Sequence, residues 1–152
     1  MKPLVLGLGN DLLSDDAVGI LAVRRLAQEL SGQADIVESS LHGAALFDIL
    51  IGYRQAIIVD AIRTGTSPPG TIFELRPEDL REVHSPSPHY AGLPEMIRLA
   101  REIGVDFPDD ILIVAVEIVD SLTVGGPLSP PVSASLDELV RRVKNHLHPF
   151  EN

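Results

Sequence analysis

Apolar residues along this chain follow two alternating rhythms. Short unbroken runs, Leu4–Leu8, Ala56–Val59 and Ile111–Val116, have the length and composition of strands buried on both faces. Asp35–Glu38 is a shorter run of the same kind. Thr71–Leu75 alternates around Ile72 and Phe73 and reads as an edge strand. Between these runs the period becomes helical. Ala17–Leu30 places Val18, Leu21, Ala22, Leu26 and Leu30 on one face, with Ser14 or Asp15 where an N-cap belongs. Ala44–Ile51, Leu93–Ile103 and Val132–Leu147 are three further helices, the last with Leu136, Leu139, Val140 and Val143 along one side. Residues 64–70 form a Gly/Pro-rich loop, and in Ser85-Pro86-Ser87-Pro88-His89 each residue before a proline is pushed out of the helical region. The alternation predicts an α/β fold: a three-layer sandwich with a twisted, mostly parallel five-stranded sheet and helices on both faces. No linker divides the pattern, so residues 1–152 are expected to form one domain.

Composition narrows the function classes. The chain has no cysteine, which excludes a disulfide framework, a thiolate metal site and a cysteine nucleophile together. Aromatic residues make up 4% of the chain and tryptophan is absent, so the core must be aliphatic. A net charge of −10 argues against a nucleic-acid partner. No apolar run approaches the roughly 20 residues that cross a bilayer. Met1-Lys2-Pro3 leads straight into a strand-like run without a leader pattern. Cytoplasm is the expected location, without a membrane partner.

The chemistry concentrates after the first strand, in Gly7-Leu8-Gly9-Asn10-Asp11-Leu12 followed by Asp15 and Asp16. The Gly-x-Gly resembles the start of a dinucleotide fingerprint, but Leu12 stands where its third glycine belongs. Two adjacent carboxylates would repel a phosphate and suit a cation. In parallel sheets ligands gather beyond the carboxyl ends of the strands. Asp15 and Asp16 fall there, as does Asp60, which closes the strand Ala56–Val59, and His89 in the stiff proline segment. Carboxylates with an imidazole suit zinc, nickel, iron or manganese. Each residue also has an ordinary reading: helix cap, turn residue, surface histidine. His42 and His84 are weaker candidates, and His146 and His148 read as solvated. No H-E-x-x-H, Gly-x-Ser-x-Gly or Walker pattern occurs.

These motifs together resemble the hydrogenase maturation endopeptidases. The resemblance rests on Gly7-Leu8-Gly9-Asn10, on Leu13-x-Asp15-Asp16-x-x-Gly19, on Asp60-Ala61 after a strand, and on Ser87-Pro88-His89-x-x-Gly92-Leu93. Leu128-Ser129-Pro130 extends it to about residue 130. The resemblance implies an endopeptidase that removes a short C-terminal extension from the large-subunit precursor of a [NiFe] hydrogenase after nickel insertion. Nickel carried by the precursor is the implied recognition signal, with zinc or cadmium as possible stand-ins. The family's metal-contacting and catalytic positions match Asp16, Asp60 and His89. The first varies between Glu and Asp in the family, so Asp16 brings its helix one methylene closer to the metal. Asp15 is assigned to the helix start. Asn10, Gly9 and Gly43 are candidates for holding substrate or an oxyanion, and a monomer is expected. Two departures stand out. Ser39-Ser40-Leu41-His42-Gly43 retains only Gly43 of the family's usual turn, and Glu117–Ser121 lacks its Pro-Glu pair. His42 thereby points to a subgroup with a different precursor. A nickel-binding chaperone without catalysis and a nucleotide-binding module are the competing classes.

Overall fold

The computed structural model describes residues 2–40, 45–81 and 92–147. Its elements, in order, are β1 (Leu4–Leu8), a 3-10 turn (Ser14–Ala17), α1 (Val18–Leu30), β2 (Asp35–Ser39), α2 (Ala45–Leu50), β3 (Gln55–Ile62), β4 (Ile72–Leu75), a second 3-10 turn (Pro77–Arg81), α3 (Leu93–Ile103), β5 (Asp110–Glu117) and α4 (Pro130–His146). The five strands form one sheet in the order β2-β1-β3-β5-β4. All neighbours are parallel except β4 against β5. The expected mostly parallel α/β sheet is therefore present, with β4 at an edge as its alternation implied.

Strand alternation sends successive side chains to opposite faces, and each face meets helices. Val5, Ile57, Val59, Leu112, Val114 and Val116 pack with α1 and α4 through Val18, Val23, Leu26, Leu139 and Val143. Leu4, Leu6, Ala56, Ile58, Ile111 and Ile113 pack on the other face with Leu46 and Leu50 of α2 and Leu93 of α3. The core is almost wholly aliphatic, as the scarcity of aromatics requires. Among the described residues no helix is long and apolar enough to cross a membrane.

Two element boundaries move by more than one residue. Asp60 does not close its strand: β3 continues to Ile62, pairing Asp60 with Ala115 and Ile62 with Glu117. Asp60 lowers β propensity, but the ladder to β5 extends past it. The C-terminal helix starts two residues earlier than its apolar period shows, because Pro130 and Pro131 occupy the first turn, where a missing N–H costs nothing.

Strand order fixes where a ligand would sit. The chain passes from β1 to β2 on one side and then crosses back to β3 on the other. The connections diverge at the carboxyl ends of β1 and β3, the switch point at which open α/β sheets bind ligands. Register sets Glu38, Gly7, Val59 and Val114 side by side just below that level, and Asp60 beside Ala115 one residue further on.

Candidate active site

The loop leaving β1 is shaped by close backbone approach. A Cβ on Gly7 would lie 2.5 Å from Val23 Cγ2, and one on Gly19 only 2.4 Å from the Val59 carbonyl oxygen. These two glycines let α1 lie directly on β1 and β3, the task the third glycine performs in a dinucleotide fold. Gly9 has φ +138°, and a Cβ there would fall 2.1 Å from the Asp16 carbonyl oxygen. Its N–H donates to the Ser39 carbonyl at 3.1 Å, tying the loop to β2.

This loop presents Asp16. The Asn10 N–H donates to Asp16 Oδ2 at 2.9 Å, and Asn10 Oδ1 accepts the Leu12 N–H at 2.9 Å. Asn10 thus builds the turn with its side chain and orients Asp16 with its backbone. Asp16 is half-buried, on a 3-10 turn that packs against β3. Asp60 is fully buried within β3, and its Oδ1 accepts the Ala61 N–H at 2.8 Å. By alternation Asp60 shares its face with Ile58 and Ile62, toward α2 and α3. The fold therefore brings Asp16 and Asp60 to one edge of the sheet. His89, Gly43, His42 and His84 lie outside the described residues. Among the described residues no three His, Asp or Glu side chains form a metal-holding group.

A cavity of about 250 Å³ opens beside the loop, lined by Gly9, Asn10, Asp11, Ile20, Glu38, Ser39 and Ser40. Arg24 reaches Glu38 at 2.8 Å and Asp11 at 2.9 Å, drawing together two acidic residues of its wall. A larger hollow of about 640 Å³ lies among Arg76, Ile97, Arg101, Asp110 and Ile111. It sits at the amino end of β5, away from the switch point.

Asp15 corrects the sequence reading. Neither it nor Ser14 caps the helix, since no side-chain cap bond is made to the 3-10 turn or to α1. Asp15 is fully buried and accepts the N–H groups of Val119 (3.1 Å), Asp120 (3.0 Å) and Ser129 (2.7 Å), and the Ser129 hydroxyl (2.8 Å). The Asp15 N–H in turn donates to the Asp120 carbonyl at 2.9 Å. Burial raises the Asp15 carboxyl, but the bonds from Asp120, Ser129 and Val119 outweigh it and hold the group below its ordinary value. Asp15 thus clasps the segment between β5 and α4, over 100 residues away, to the β1 loop.

His146, expected to be solvated, keeps part of its side chain exposed but also has a partner. It is half-buried, with Nε2 3.0 Å from Glu74 Oε2, because the last turn of α4 reaches the edge strand. Glu117, noted in the sequence only for the absent Pro-Glu pair, has a role the sequence did not indicate. It is buried at the end of β5 and accepts the Thr64 N–H at 2.8 Å and the Thr64 hydroxyl, fixing the loop that follows Asp60. Its only sequence signal was a carboxylate ending an apolar run.

Known proteins share this fold. The family model "HycI: Hydrogenase maturation protease" matches residues 20–146, a span that holds Asp60 and His89 and begins after Asp16. The hydrogenase 2 maturation protease of Escherichia coli K12 is 33% identical over 147 residues, covering 94% of this chain and 88% of that protein. HupD, a hydrogenase expression/formation protein of Thiocapsa roseopersicina, is 27% identical over 97% of this chain and 68% of its own length. The solved structure of the hydrogenase maturating endopeptidase HybD from E. coli superposes with a TM-score of 0.77 at 33% identity, covering 94% of this chain and 90% of that one.

Proposed function

This chain belongs to the hydrogenase maturation protease family, and on that premise we propose that it removes the C-terminal extension of a [NiFe] hydrogenase large-subunit precursor once nickel has been inserted. The observation that supports this reading is the placement of Asp16, on the turn packed against β3, and of Asp60, near the carboxyl end of β3, on the switch-point side of the sheet, beside a loop whose backbone is already turned toward Asp16.

Hydrolysis consumes one water: its oxygen joins the scissile carbonyl carbon, and its protons pass to the new carboxyl and amine ends. The chain has no cysteine and no serine in a nucleophile motif, which favours direct attack by water over an acyl-enzyme. Asp16, Asp60 and His89 form a donor set of two carboxylates and an imidazole. That set suits a divalent ion which arrives in the precursor and remains partly held by it. Nickel is then part of the substrate and serves as the template that fixes the scissile bond in the cleft. Gly9 and Asn10 form the cleft wall by which an extended segment would pass.

The test is to mix the protein with nickel-loaded and nickel-free precursor and weigh the products. Processing is expected only of the loaded form. Cleavage indifferent to nickel would overturn the recognition model. Asp16→Asn and His89→Ala are each expected to lower processing at least ~100-fold while circular dichroism stays unchanged. Normal cleavage by either variant would remove it from the site.

A further inference from the structure

The sequence holds Leu122 and Val124 in a segment that no periodic element claims, and the structure leaves them in the open. Leu122 is 79% exposed, Val124 75%, Leu12 62% and Val119 47%. These are four of the seven exposed large apolar side chains among the described residues, and they sit on two segments that touch. Leu13 and Val124 form an antiparallel bridge, and the Gly125 N–H donates to the Leu12 carbonyl at 2.8 Å. Val124 therefore shares one face of the ribbon with Leu13, and Leu12 points to the other. Both faces of the projection are apolar.

This projection is held in a fixed shape. Asp15 binds its base from both sides, at Val119, Asp120 and Ser129. The Ser14 hydroxyl donates to the Pro127 carbonyl at 3.0 Å. Asp120 Oδ1 accepts the N–H groups of Leu122 (2.9 Å) and Thr123 (3.0 Å), closing the turn that carries Leu122. Exposing aliphatic side chains in a preordered loop costs solubility and gains nothing for folding, but it lowers the entropic cost of binding.

We propose that this ribbon, Leu12–Leu13 with Val119–Val124, is the surface that docks the hydrogenase large-subunit precursor by inserting into an apolar groove of it. The proposal rests on the reading of the chain as the protease that cleaves that precursor. Continuity supports this occupant: Leu12 lies four residues before Asp16 on the same loop. A partner seated on the ribbon is therefore delivered to the candidate site. Size supports it as well. Four side chains cover a few hundred Å², well below the roughly 800 Å² per partner of a standard stable complex. That suits a substrate which must leave, and it is too little for a lasting second copy of this chain.

The experiment is steady-state processing of nickel-loaded precursor by the wild type, by Leu122→Ser/Val124→Ser, and by Leu99→Ser on α3 as a control. The double variant is expected to raise KM tenfold or more with kcat within twofold, while the control matches the wild type. Unchanged KM in the double variant overturns the docking surface. So does a loss confined to kcat, which would mean that the ribbon only shapes the site. Sedimentation showing a wild-type dimer that the double variant abolishes assigns the ribbon to self-association and also overturns the proposal. A wild type that cleaves no precursor defeats the proteolytic reading itself, and the docking assignment falls with it.

Discussion

Asp15 and Asp16 are chemically identical neighbours in opposite surroundings. Asp15 turns inward and is saturated by four donors from a distant segment, whereas Asp16 is half-buried beside the β1 loop with the Asn10 N–H on one oxygen. The two aspartates were expected to take different roles. The inward partner was expected to anchor the helix start, and it anchors the loop after β5 instead. Spacing cannot show this, because the loop arrives from over 100 residues away. Asp15→Ala leaves buried donors without an acceptor and is expected to cost about 3 kcal/mol, measured by urea unfolding. A pH dependence follows from the same bonds. The Asp15 carboxyl titrates below its ordinary 3.8 in the folded protein. Its stabilisation is thus fully present above that value and is lost as pH falls through the lower folded one. Amide exchange at Val119, Asp120 and Ser129 is expected to accelerate in acid below pH 3.8, and Asp15→Asn is expected to flatten that dependence.

Contact between α1 and the sheet is set by glycine at the scale of elements. The helix lies so near β1 and β3 that a Cβ on Gly19 would meet carbonyl oxygens of both strands, at 2.4 Å from Val59 and 2.7 Å from Leu8. Gly19→Ala is therefore expected to destabilise the fold by about 1–3 kcal/mol, as overpacking does, with a lower melting temperature as the readout. Backbone atoms cannot yield as side chains do, so the upper part of that range is the expectation. The 3-10 turn depends on this seating, and a displaced α1 would carry Asp16 with it. The strands themselves were legible, because buried parallel strands read as continuous apolar runs. The extension of β3 beyond Asp60 was not, because a lone buried carboxylate looks like a strand end until the partner ladder is known.

The whole molecule is a sheet covered on both faces, with its chemistry at one edge. Strands β1, β3 and β5 are buried on both sides, while β2 and β4 are half-buried edges. Hydrogen exchange is expected to be slowest in the three central strands and fastest in β2 and β4, with protection following global stability only in the former. Uniform protection across all five strands would contradict that layout. The alternation of apolar runs and helical stripes by itself determined the α/β class, the strand and helix positions and the edge character of β4, because burial periodicity is written residue by residue. The motif series from Gly7 to Pro130 pointed to the family. Only the tertiary structure decided that Asp60 lies inside a strand, that Asp15 clasps a remote loop, and that Leu12 and Leu122 share one projection. Each of these is a contact between segments far apart in the chain, and a linear pattern records what a residue prefers, not which distant donor or backbone will meet it.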